Sequence, residues 1–382
     1  MSTGRLQSTP LSQLSQRLGS TLQSVFKLDP ILLFFVTLIA TIGVVAGYSA
    51  AEQSEAWVER SVVRLALGFG LMLVIAQIPQ RWLFVVAPWL FAAVMLMLLA
   101  VWVVGDIGGG ARRWLDLGVI RFQPAELMKV AMPMTIAWFL ARRPLPPRLL
   151  DVAIVMFAIV VPVLLIARQP DLGSALLIMA SGLFVLFFAG LSWWYLGGFL
   201  ALAGAAMPVM WFFVMHAYQK DRVMMLLDPT SDPLGAGYHT IQSMIAIGSG
   251  GVWGKGWLQG TQSHLDFLPE GATDFILAVY AEEFGLAGLA LLFVLYLAVI
   301  WRGLWIAEHA ESVEGRLLAA SISMTFMVYV LVNAGMVLGL LPVVGAPLPL
   351  LSYGGTALVT IMVGLGMLMS IRTQRSFLGH DR

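Results

Sequence analysis

Apolar residues run through this chain in stretches of about 20, the length a helix needs to cross the hydrocarbon of a bilayer. Such stretches predict ten membrane spans, at 30–49, 61–78, 83–105, 124–141, 151–168, 173–190, 193–217, 274–302, 314–340 and 352–371. Most connections between them are short. The exception is 218–273, a polar, glycine-rich segment between the seventh and eighth spans. The pattern therefore predicts an all-α polytopic membrane protein of ten transmembrane helices with a long loop between helices 7 and 8.

Local signals refine this picture. Within 218–273, turn chemistry at Asp228-Pro229 and Asp232-Pro233-Leu234-Gly235 precedes Ile241, Met244, Ile245 and Ile247, spaced for a short helix on or in the membrane. Near the other end, 341–349 carries Pro342, Pro347 and Pro349, so it must be irregular backbone, tolerated only where protein or water covers it. In the polar segment 1–29, Leu11, Leu14, Leu18, Leu22 and Phe26 recur at helical spacing and predict an interfacial amphipathic helix. A signal peptide ending near Ser49 and Ala51 is the rival reading of the first span; the long polar leader argues against it.

Composition removes several classes of function. Hydrophobic residues make up 59% of the chain, charged residues 11%, and the mean hydropathy is +0.88, values a soluble domain does not carry. The absence of cysteine excludes disulfides, thiolate metal sites and cysteine nucleophiles. His216, His239, His264, His309 and His380 are scattered without metal-ligand spacing. A net charge of +1 gives no reason to expect nucleic acid as a partner.

The side on which charges fall is more informative. Arg5, Arg17 and Lys27 precede the first span, Arg142, Arg143 and Arg148 follow the fourth, and Arg372, Arg375 and Arg382 follow the tenth. Ten spans put all three groups on one side, which the positive-inside rule makes the cytoplasm. Both termini, including the tail 373–382, are then cytoplasmic, and 218–273 is external. Arg112, Arg113, Arg121, Arg168, Lys220, Arg222 and Lys255 fall on the external side, where cations are normally sparse. Any one of them reads as a snorkelling or paired side chain. The set reads as a binding site for a phosphate-bearing lipid headgroup.

Carboxylates concentrate on the same side. Asp274 stands where the loop meets the eighth span, either as a helix cap together with Thr273 or as a general base facing a lipid-borne substrate. Glu126 and Lys129 share a helix face and must pair or line a wet cavity, because each charge costs about 2.5–3.5 kcal/mol in hydrocarbon. Asp171, in a tight turn, reads as an N-cap or as a third carboxylate of a site. Glu282 and Glu283 lie deeper and, being adjacent, are expected to face apart, one toward a buried cation such as Arg64 and the other toward a neutral donor or a second cavity. Gly248, Gly250, Gly251, Gly254 and Gly256 surround Lys255, as an anion-wrapping backbone or a flexible connection. Gly285 and Gly288 would let a partner helix approach the eighth span closely.

Several runs together resemble the signatures of the SEDS family (shape, elongation, division and sporulation). They are Gln123-Pro124-Ala125-Glu126, Gln169-Pro170-Asp171-Leu172-Gly173, Asp232 to Tyr238, Leu268-Pro269-Glu270 with Thr273-Asp274-Phe275-Ile276, and Pro349 to Gly355. The resemblance covers 29–375. Arg222 to Pro229, Ile247 to Gly251 and Leu341 to Gly345 resemble the elongation members more than the division-specific paralogue. Departures are small: Leu277 replaces a frequent phenylalanine, and Gly271-Ala272 is a variable pair.

The resemblance implies a ten-span peptidoglycan glycosyltransferase that polymerises lipid II on the external face of the cytoplasmic (inner) membrane during cell elongation. It also implies a class B penicillin-binding transpeptidase of the penicillin-binding protein 2 type as partner, with other elongation-complex membrane proteins. The essential aspartate falls on Asp274, and further cavity positions fall on Glu126, Lys129 and Asp171. Transfer from an α-linked polyprenyl-pyrophosphate glycan to a 4-hydroxyl, giving a β bond, inverts the donor carbon and needs one base. Lys129, Arg112, Arg113 and Lys255 are candidates for holding the pyrophosphate. No cofactor is required by the sequence, although a divalent cation could share that task through Glu126 or Asp171. A lipid II flippase and a non-catalytic scaffold are the rivals from other classes.

Overall fold

Asp29 opens the first helix. Its carboxylate accepts hydrogen bonds from the backbone N–H groups of Ile31 and Leu32, both at 3.0 Å, and Pro30 takes a first-turn position where a missing N–H costs nothing. In this computed structural model the described residues are 28–108, 111–116, 121–192, isolated positions between 194 and 224, 238–261 and 271–373. The amphipathic helix expected in 1–29 and the tail after 373 lie outside them.

Helix α1 (Pro30–Ala50) is followed by α2 (Glu55–Gln77), capped by Ser54, and α3 (Gln80–Val104). Three short antiparallel strands come next, β1 (Asp106–Gly108), β2 (Ala111–Asp116) and β3 (Arg121–Phe122), in the order β1-β2-β3. Then come α4 (Pro124–Leu140), α5 (Leu149–Ala167), α6 (Leu172–Phe188), α7 (Tyr238–Gly250), α8 (Ile276–Glu308), α9 (Val313–Val337) and α10 (Gly355–Thr373). Helix α9 is the central element, packed on α4, α6, α7, α8 and α10.

Among the described residues a helix covers most of nine of the ten predicted spans. The seventh, 193–217, lies largely outside them, apart from a π-helical turn, Met210–Val214, and isolated positions. Six helices, α1, α3, α5, α8, α9 and α10, are long and apolar enough to cross a membrane. The sheet departs from the all-helical expectation: strands of two to six residues are too short for a period-2 pattern to stand out. The helix expected around 241–247 is α7, and 341–349 is non-helical, as its prolines require.

Helix α8 is broken. Gly285 sits at φ 63° and ψ −163°, and the segment after α7 fills the break. The N–H groups of Lys255 and Gly256 donate to the carbonyls of Glu282 and Glu283 at 3.0 Å; those of Leu286 and Ala287 donate to Gly251 and Val252 at 3.0 Å. Backbone groups freed by the break are thereby satisfied within the protein. The glycine run thus forms a seat against α8, which corrects both expectations for it. Gly285 serves the break, not a partner helix.

A Cβ on Gly254 would stand 2.0 Å from the Glu283 carbonyl oxygen, and its φ is +80°. Gly251, with φ +57°, has open space where its Cβ would go. Gly254→Ala is therefore expected to lower the melting temperature far more than Gly251→Ala, which carries only the backbone strain of about 1–3 kcal/mol. Equal melting of the two purified variants would remove the packing role.

Candidate active site

The start of α4 carries the first charged pair. Pro124 occupies a first-turn position, and the helical spacing brings Lys129 back onto Glu126, with Nζ donating to Oε1 at 2.6 Å. Both residues are more than nine-tenths buried. Thr360 of α10 donates to the other carboxylate oxygen of Glu126 at 2.9 Å, and the ammonium lies 5.5 Å from the centre of the Tyr329 ring on α9. Below the pair a mainly apolar groove with about 520 Å³ of open space runs between α4, α9 and α10, lined by Lys129, Pro133, Thr325, Tyr329, Thr360 and Leu365.

The turn between α5 and α6 supplies the second carboxylate. Asp171 is buried, caps α6 through Ser174 N–H at 3.1 Å, and accepts a hydrogen bond from the Gln123 side chain. The N-cap reading of Asp171 therefore holds, and the two motifs beginning at Gln123 and Gln169 meet directly. Arg113 of β2 fixes this turn by donating to the carbonyls of Gln169 and Pro170 at 3.1 and 2.7 Å.

The non-helical connection between α9 and α10 joins this turn to Asp274. A Cβ on Gly173 would stand 2.6 Å from the Val344 carbonyl, and one on Gly345 would stand 3.5 Å from Asp274 Oδ2. The Asn333 amide bridges the carbonyls of Asp274 and Ala346, both at 2.9 Å, while Tyr353 N–H donates to Ala272 at 3.1 Å. Buried Tyr296 holds the Pro349 carbonyl at 2.7 Å. The cap position of α8 belongs to Phe275, without a side-chain bond, so the capping reading of Thr273 and Asp274 is corrected. The Asp274 carboxylate is half-buried.

The remaining predicted cations divide. Lys255 donates to Glu282 Oε1 at 2.6 Å and to Thr261 Oγ1 at 2.8 Å. Glu282 therefore meets Lys255 and not Arg64, which lies over the Tyr353 ring. Glu283 accepts from Leu258 N–H at 3.1 Å and from Ser49. The two glutamates thus face apart as expected, one meeting a cation and the other neutral donors, although the cation is Lys255; 249–261 supplies partners to both because it curls around the break and meets two sides of the helix. Arg112 lies in β2, with its side chain outside the described residues, and Arg121 pairs with Asp116 at 2.9 Å.

Sequence reasoning missed Asn333 and Thr360, and held Gln123 only as part of a motif without its partner Asp171. A lone amide in an otherwise apolar span was the available signal for Asn333, since a polar group at membrane depth needs a partner or a purpose. Thr360 gave none, because its hydroxyl could equally have bonded within its own helix. No group of three or more acidic or histidine side chains gathers among the described residues to hold a metal ion. Glu126 and Asp171 are instead engaged with Lys129, Thr360, Gln123 and the start of α6.

A helical bundle of this hydropathy, with carboxylates and an ion pair gathered at one end above an apolar groove, defines a multi-pass membrane protein. Residues 26–377 match the FtsW/RodA/SpoVE family model, described as cell cycle protein, and the chain belongs to that family. It is 52% identical to the peptidoglycan glycosyltransferase MrdB of Escherichia coli K12, over 92% of this chain and 95% of that one. Among solved structures it is similar to a chain of a peptidoglycan synthase complex that coordinates polymerization and crosslinking (TM-score 0.79, 36% identity, 91% of this chain and 98% of that chain). It is also similar to the rod shape determining protein RodA of Thermus thermophilus (TM-score 0.69, 31% identity, 91% and 97% coverage). The family expected from the motifs is the family found.

Proposed function

We propose that this chain is a peptidoglycan glycosyltransferase of the elongation type, polymerising lipid II on the external face of the cytoplasmic membrane. Asp274 is the general base. It takes the proton of the acceptor 4-hydroxyl as that oxygen bonds to the donor anomeric carbon; the bond from that carbon to pyrophosphate breaks on the opposite face. The configuration inverts, and the polyprenyl pyrophosphate leaves as an anion, so no acid is needed once cations offset its charge. Lys129 is the buried cation nearest this task. Arg112 and Arg113 lie on the hairpin beside it, and Lys255 acts through the seat of the loop. A penicillin-binding transpeptidase cross-links the product.

The observation that carries this reading is the placement of Asp274. It is presented by Asn333 and the Gly345 turn at the end of the bundle where Asp171, Glu126 and Lys129 converge, and it does not occupy the cap position of α8. A flippase needs ionisable groups open to both faces. At the opposite end Asp29 is buried and clamped by Arg302 at 2.9 and 3.0 Å and by Arg372 at 2.8 Å. Polymerisation of purified lipid II by the detergent-solubilised chain tests the reading directly.

The topology is tested separately. Single cysteines introduced into this cysteine-free chain at Arg148 and Ser263 are expected to react oppositely with an impermeant maleimide on intact cells. Ser263→Cys labels and Arg148→Cys does not; the reverse pattern would place the proposed site in the cytoplasm.

A further inference from the structure

A second recess, mostly apolar in its lining but carrying one cation, lies between α1, α2 and the segment leading into α10. It is bordered by Gly43, Trp57, Ser61, Arg64, Ser352 and Tyr353 and holds about 370 Å³ of open space. Its donors are unanswered. The Arg64 guanidinium lies 3.9 Å over the Tyr353 ring, and no carboxylate or carbonyl among the described residues takes its N–H groups. Ser61 Oγ and Trp57 Nε1, in residues only 7% and 8% exposed, are buried without a hydrogen-bond partner among the described residues.

Buried polar atoms are nearly always paired, so each orphan asks for an explanation. Here they belong to residues three and seven positions before Arg64 on α2, in the lining of the same recess, and the indole can only donate. With its Cζ over the Tyr353 ring, the guanidinium keeps N–H groups that no described residue takes, and these suit an oxyanion. Glu55 and Glu59, the acidic residues of α2, are exposed and do not border the recess. The recess also adjoins the catalytic turn, because Tyr353 N–H bonds to Ala272, two residues before Asp274.

We propose that this recess is an anion subsite for the phosphate of a membrane lipid. In the polymerase it holds the pyrophosphate of one of the two lipid-linked glycans, apart from the Glu126/Lys129 pair. The substrate assignment rests on the glycosyltransferase reading; the existence of the anion site does not.

The test uses the full chain in phosphatidylcholine nanodiscs with undecaprenyl pyrophosphate as probe. If Ser61 and Trp57 serve no ligand, Ser61→Ala and Trp57→Phe remove unsatisfied groups and leave binding unchanged. The expected result is that Ser61→Ala weakens lipid binding several-fold and Arg64→Gln about tenfold or more. Melting of the lipid-free Ser61→Ala protein should be unaltered. In polymerisation, KM for lipid II should rise in these variants while kcat at saturation holds. Asp274→Asn should bind the probe like wild type, which separates failure of the subsite from failure of the catalytic reading. Equal binding by wild type, Ser61→Ala and Arg64→Gln would overturn the proposal. A difference seen only after phosphatidylglycerol is added would overturn the pyrophosphate assignment and make a bilayer phospholipid the occupant.

Discussion

Asp274→Asn is expected to lower the rate of lipid II polymerisation by about 10²–10⁴, the range that a general base contributes. The substitution keeps size and shape and removes the ability to accept a proton. Asn333 holds the backbone carbonyl of Asp274, and Tyr353 holds that of Ala272; neither depends on the carboxylate. The turn should therefore stay in place, with melting temperature and probe binding close to wild type. Purified Asp274→Asn protein polymerising within a few-fold of wild type would remove the base assignment. Asn333→Ala provides a graded comparison. It cuts two backbone tethers while leaving the carboxylate intact, so its loss of rate should be smaller and accompanied by lower stability.

Lys129→Met is expected to have the largest effect on stability. It leaves the buried Glu126 carboxylate with Thr360 as its remaining side-chain partner, and breaking a buried pair from one side costs about 3–5 kcal/mol. Replacing both members, Glu126→Leu with Lys129→Met, should recover much of that stability, because a well-packed apolar pair avoids the desolvation of two charges. Polymerisation should not recover with it if the ammonium acts on substrate. Melting curves and polymerisation of the single and double variants separate the roles. Recovery of activity together with stability would make the pair purely structural.

Much of this molecule is legible in its sequence. The apolar stretches placed α1, α3, α5, α8, α9 and α10, because a helix in hydrocarbon must satisfy every backbone polar group within itself and shows as a long uninterrupted run. The Glu126–Lys129 pair was also legible, because a charge at membrane depth is too costly to be there without a reason, whereas Asp171 and Asp274 stood out only as parts of motifs at the ends of spans. The break at Gly285 was not. Glycine in an apolar run is compatible with close helix packing, with a kink or with neither. The choice was made by 249–261, about thirty residues upstream, whose N–H and carbonyl groups meet those the break exposes.

Pairing was likewise beyond the sequence. Arg64 was the cation the sequence suggested for one of the two glutamates, and only the curl of 249–261 around α8 brought Lys255 to Glu282 and left Arg64 on Tyr353. What the sequence by itself determined is the class of fold, the residues with chemistry to offer and the family, since these follow from hydrophobicity, charge cost and contiguous motifs. What only the tertiary structure decided is which donors meet which acceptors. Asn333 reaches Asp274 across 59 residues, and Thr360 reaches Glu126 across 234. Such contacts are set by how helices pack, and hydrogen bonds of a few ångströms leave no trace in the local pattern of the chain.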